Sequence, residues 1–88
     1  MKELIERNYA ATVKRGLINE NTEVFIFLEK AEEELRECID AYYYEGDDRY
    51  AEELIDLASV CFNQIKNMGL DPIKEFEKVV IKNETRED

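Results

Sequence analysis

Histidine is absent from this chain, proline occurs once and glycine three times. With so few helix breakers and 39% charged residues, the sequence reads as helix almost throughout. Basic residues are scarce: 12 Lys and Arg stand against 22 Asp and Glu, a net charge of −10. That balance argues against a nucleic-acid backbone as partner, because such binding draws on clustered Lys and Arg. No apolar run approaches the roughly 20 residues of a membrane span. The longest is Val24-Phe25-Ile26-Phe27-Leu28. The first residues, Met1-Lys2-Glu3-Leu4-Ile5-Glu6, are charged and lack the apolar stretch of a secretory leader. Cys38 and Cys61 fall on expected core stripes, where a free cysteine acts as a small hydrophobe rather than half of a disulfide. The expected compartment is the reducing cytoplasm.

At 88 residues the chain is one small domain, 1–88, ending in a polar tail over about 83–88. A chain this short buries only roughly 60% of the surface its unfolded form exposes, so oligomerisation is a natural remedy. Four helices are expected. The first covers 2–15, with Leu4, Ile5, Tyr9, Ala11, Thr12 and Val13 inward and Gly16 as its C′ residue. The second covers 22–44, capped by Asn21 or Thr22, with Val24, Leu28, Ala31, Leu35, Cys38 and Tyr42 as its stripe. The third is capped by Asp47 or Asp48 and reaches Met68, presenting Tyr50, Leu54, Leu57, Ala58, Cys61, Ile65 and Met68. Gly69 closes it, and Asp71-Pro72 supplies the N-cap and N1 of the fourth, over 72–82. That helix presents Ile73, Phe76, Val79 and Val80. The fold class is all-α: a protomer resembling an antiparallel four-helix bundle, completed by oligomerisation.

Two pairs of carboxylates, Glu34/Glu37 and Glu53/Asp56, stand out from the solvated acids. Each pair is spaced i, i+3 and so projects from one helix face. Against Leu35 or Leu54 as zero, each pair falls at roughly −100° and −160°, flanking the expected core seam in the same sense. In an antiparallel hairpin centred on the Glu45-Gly46-Asp47 turn, Glu34 should face Asp56 and Glu37 should face Glu53. Four acids converging beside an apolar core are unstable unless a cation neutralises them or their pKa values rise. Mg²⁺ or Mn²⁺ suits them, since hard cations take oxygen ligands and no histidine is present to favour zinc. Against this stands the plainer reading, in which each Glu-x-x-Glu is simply a solvated helix face.

The pattern Glu33-Glu34, Glu37, then Glu53 and Asp56, resembles the signature of the MazG-like all-α nucleoside triphosphate pyrophosphohydrolases. A third element, Lys82-Asn83-Glu84-Thr85-Arg86, is similar to the family's C-terminal Asn with nearby basic residues. The resemblance spans about residues 30–86. It implies Mg²⁺-dependent cleavage of the α–β bond of a nucleoside triphosphate, with Glu34, Glu37, Glu53 and Asp56 as metal ligands. It gives Glu33 a water-orienting role, since Glu33 belongs to the motif but points away from the other four. Lys82, Asn83 and Arg86 become candidates for triphosphate and sugar contacts. Lys30, one turn before Glu34, could meet a phosphate or simply pair with Glu34.

Tyr42, Tyr43, Tyr44, Phe25 and Phe27 could stack on a base, or could be core or subunit interface. The resemblance also implies a homodimer or homotetramer, which suits the apolar run at Val24-Leu28. A non-catalytic acidic dimerisation or adaptor module is the competing function. Metal dependence at the four acids separates the two.

Overall fold

A computed structural model describes residues 1–86, and Glu87 and Asp88 lie outside the described residues. The fold is all-α: α1 (Lys2–Lys14), α2 (Val24–Tyr44), α3 (Asp47–Asn67) and α4 (Pro72–Thr85), with no strand among the described residues. The helix ends follow local chemistry. After α1, Gly16 takes φ 77°, its N–H donates to Val13 O, and Leu17 N–H donates to Thr12 O. The same double closure recurs after α3, where Gly69 (φ 82°) donates to Lys66 O and Leu70 to Ile65 O. Both are Schellman turns, which a residue without Cβ enters at least cost. At α4 the Asp71 carboxylate accepts from Ile73 N at 2.9 Å, with Pro72 in the first turn.

Three boundaries differ from the sequence reading. Asn21 and Thr22 do not cap α2. Thr22 Oγ1 accepts from Asn19 N and Asn19 Oδ1 from Asn21 N, so these side chains shape the loop and the helix starts at Val24. Gly46, not Asp47 or Asp48, is the N-cap of α3, and the two aspartates sit in its positively polarised first turn. The α4 helix runs on to Thr85, so Asn83, Glu84 and Thr85 of the expected tail are helical.

The hub is α3. Helix α2 pairs with it along the hairpin, and α1 and α4 pack on it over shorter stretches. The buried faces of α2 and α3 are not the expected stripes. On α2 the buried residues are Phe27, Glu34, Cys38 and Ala41, with Ala31 half-buried, while Val24, Leu28, Leu35 and Tyr42 are exposed. On α3, Glu53 and Asn63 are buried; of the expected stripe, Tyr50, Leu57, Ala58 and Ile65 are half-buried and Leu54, Cys61 and Met68 are exposed. Each face is rotated by about one residue, roughly 100°. The physical reason is size: Ala31, Cys38 and Ala41 let the two helices approach, and the bulky apolar stripe is left facing outward. On α1 only Ile5 is buried, and on α4 only Pro72; Phe76, Val79 and Val80 are exposed. Cys38 and Cys61 are both unbonded.

Ala41 is fully buried in the hairpin seam. Replacing it by leucine should destabilise the protein by about 1–3 kcal/mol, because a close-packed seam has no room for three further carbons. Urea unfolding of Ala41→Leu beside wild type measures this. An unchanged midpoint would place the seam elsewhere.

Candidate metal centre and adjoining cavity

The rotation puts Glu34 and Glu53 inside the seam rather than beside it. Their relative exposures are 7% and 4%. Each is held by a cation one helical turn earlier. Lys30 Nζ lies 3.2 Å from Glu34 Oε1, and an Arg49 guanidinium nitrogen lies 2.8 Å from Glu53 Oε1. The second oxygen of each, Glu34 Oε2 and Glu53 Oε2, is buried with no hydrogen-bond partner. A buried acceptor left unpaired costs about 1–3 kcal/mol, more when charged. Two of them are a serious burden for a domain whose whole stability is on the order of 5–15 kcal/mol.

Glu37 joins these two. One oxygen from each of Glu34, Glu37 and Glu53 lies within 4.8 Å of the others. Oxygens that share a divalent cation at about 2.1–2.4 Å are separated by no more than about 4.2–4.8 Å, so the three are near enough for small side-chain shifts to bring them onto one ion. Asp56 is not in this group and is exposed. Of the four acids expected to converge, three lie together, and the fourth stands nearby. Asp56 still belongs to the neighbourhood, because burial and then Glu53, Glu34, Asp56 and Glu37 all push the Cys38 thiol pKa up.

Burial raises the Glu34 pKa, and Glu37 beside it adds to the rise, against the opposing pull of Lys30. For Lys30, burial works against the ammonium, but Glu34 and Glu33 outweigh it and its pKa is raised. Glu33 projects outward, as its helical angle implied, and lies 3.4 Å from Lys30 Nζ.

Next to the acids lies a cavity of about 380 Å³ between α1, α2 and α3, lined in part by Glu34, Asp56, Lys30 and Arg15. Its polar wall is a short ladder: Asn8 Nδ2 donates to Asn63 Oδ1 and Asn63 Nδ2 to Thr12 Oγ1, both at 3.4 Å. Ile18, Ile26, Phe27 and Val60 make it apolar elsewhere. Lys82, Asn83 and Arg86, at the far end of α4, do not line it. Arg86 makes contacts of its own. Tyr42, Tyr43 and Tyr44 also lie away from it, as exposed rings in mutual contact with Tyr50 at the hairpin end.

Sequence reasoning missed Arg49, Arg15 and Asn63. Arg49 stands four residues before Glu53, as Lys30 does before Glu34, and that parallel was the available signal. Compared with known proteins, the chain matches no protein-family model, no curated protein and no solved structure.

The raised Glu34 pKa sets a pH dependence for the metal-free protein. The fold favours the protonated carboxyl, so this stability is fully present below the ordinary value near 4.5 and is lost as pH rises through the raised one. In chelator, Glu34→Gln should therefore be more stable than wild type at pH 7. The difference should shrink towards pH 4. Urea midpoints at the two pH values check this; a gap that is constant or reversed would contradict it.

Proposed function

We propose that this protein is a metal-dependent nucleotide pyrophosphohydrolase of the MazG-like kind, cleaving the α–β phosphoanhydride of a nucleoside triphosphate. The observation that carries the metal reading is the pair of unpartnered buried oxygens, Glu34 Oε2 and Glu53 Oε2, beside Glu37. Mg²⁺ or Mn²⁺ held by Glu34, Glu37 and Glu53 would neutralise phosphate charge and lower the pKa of an attacking water. The residues themselves do the rest. Lys30 and Arg49 fix one oxygen of each buried acid and so aim the other. Asp56 extends the acid cluster to the cavity wall. The cavity takes the substrate, with its apolar side against the nucleoside. Water adds to the α-phosphorus, the bond to the bridging oxygen breaks, and pyrophosphate leaves.

Lys82, Asn83 and Arg86 remain substrate contacts in this reading only where a second copy brings them to the cavity. Self-association is part of the proposal, as a homodimer or homotetramer. The accessible surface is 7047 Å², whereas a compact protein of 10.4 kDa exposes roughly 5,400 Å² by size scaling. The radius of gyration, 14.5 Å, also exceeds the roughly 12 Å expected for this length. Val24, Leu28, Leu35 and Ile39 are exposed along one side of α2. Burying the excess against another copy falls in the range of obligate interfaces, roughly 2,000–5,000 Å² in total. The same apolar side favours the second reading, an acidic dimerisation module stapled by metal but without turnover.

A panel of canonical and modified nucleoside triphosphates with Mg²⁺ or Mn²⁺ should release pyrophosphate with at least one of them. Glu53→Gln should lower kcat by 100-fold or more, on the order of 3 kcal/mol in the barrier. Sedimentation should give a multiple of 10.4 kDa. Metal binding without product from any nucleotide would leave the module reading. Neither binding nor product would end the enzyme reading.

A further inference from the structure

We propose that Arg15 is the polyphosphate anchor of the cavity, binding the phosphates that depart as pyrophosphate; this rests on the metal-dependent reading above. Two cations line the cavity, Lys30 and Arg15. Lys30 is engaged with Glu33 and Glu34. The amide wall is engaged with itself through Asn8, Asn63 and Thr12. Arg15 forms no ion pair with any carboxylate among the described residues, in a chain where 22 acids outnumber 12 bases.

Its position is set by the chain. Arg15 is the C-cap of α1, immediately before Gly16 turns the backbone into the loop that brings Leu17 and Ile18 to the same cavity. Arg15 therefore lines the same cavity as Glu34 and Asp56 while standing at the end of a different helix from either. A ligand that satisfies both must carry negative charge towards Arg15 and oxygens towards a cation held at Glu34, the one acid that belongs to the three-glutamate group and also lines the cavity. An extended chain of phosphates does this, since one phosphoryl can share the cation while the next meets the planar fork of an arginine in two parallel hydrogen bonds. The plainer role, a solvated cation at the negative end of a helix, needs charge alone and no fork.

Calorimetric titration of inorganic pyrophosphate into the full chain loaded with Mn²⁺ tests this. Arg15→Gln should weaken pyrophosphate binding roughly 10- to 100-fold, the range for charge-assisted hydrogen bonds, and leave Mn²⁺ affinity within about twofold. Arg15→Lys keeps the charge at the end of α1 and should recover only part of the loss. If either the wild type binds Mn²⁺ but no pyrophosphate, or Arg15→Gln binds both as well as wild type, the anchor role is overturned and the metal reading stands. If the wild type binds no Mn²⁺, both fall together.

Discussion

Glu34 and Glu53 occupy seam positions of the α2–α3 hairpin, where a helical pair ordinarily packs leucine or valine, and the rest of the molecule depends on how their charge is resolved. The residues around them on α2 are small: Cys38 and Ala41 are buried and Ala31 half-buried. Such a seam allows close helix approach but buries little apolar area, so the hairpin gains less from hydrophobic burial than a leucine seam would give. Lys30 and Arg49 each satisfy one oxygen of one acid. The remaining two oxygens, with the exposed Glu37 beside them, concentrate negative charge that a proton or a cation would settle. In the proposed account a divalent ion does so, and ligand binding then stabilises the fold as well as creating the site.

This has consequences beyond the hairpin, because α1 and α4 are both attached through α3. The contacts that fix α1 are polar and few: Tyr9 donates to Asn67 at 2.6 Å, the Asn8–Asn63–Thr12 ladder lies beside it, and Lys66 sits over the Tyr9 ring. The Asn8–Asn63–Thr12 ladder among them forms one wall of the cavity next to the acids. Strength in the hairpin, position of α1 and shape of the cavity are therefore linked through one helix. The exposed apolar side of α2 is the counterpart: Val24, Leu28, Leu35 and Ile39, which a closed monomeric bundle would hide, face outward.

Much of the architecture was legible in local sequence. Gly16 and Gly69 mark the two Schellman turns, Asp71-Pro72 marks the start of α4, and Glu45-Gly46 marks the hairpin turn. The acid pairs were legible too, because the i, i+3 spacing survives any rotation of the helix. The rotation itself was not. On α2 the two stripes Val24-Leu28-Leu35-Tyr42 and Phe27-Glu34-Ala41 both run through the neighbourhood of Ala31 and Cys38. Periodicity selects the more apolar one, because it measures which face avoids water and not which partner covers that face. The chain folds with the other stripe inward. That one-residue error placed Glu34 and Glu53 beside the seam instead of within it, and it set Asp56 level with three acids whose close grouping it does not join. Arg15 escaped notice because nothing in its spacing links it to the acids; only the packing of α1 against α3 does.

The central claim is that the unpartnered oxygens of Glu34 and Glu53, with Glu37, hold one divalent cation. Anomalous diffraction from crystals grown with Mn²⁺ tests it most directly. The expected result is a peak between α2 and α3 within about 2.1–2.3 Å of one oxygen from each of the three glutamates. A map with no peak there, and with a proton-shared contact between Glu34 and Glu37 in its place, would contradict the account.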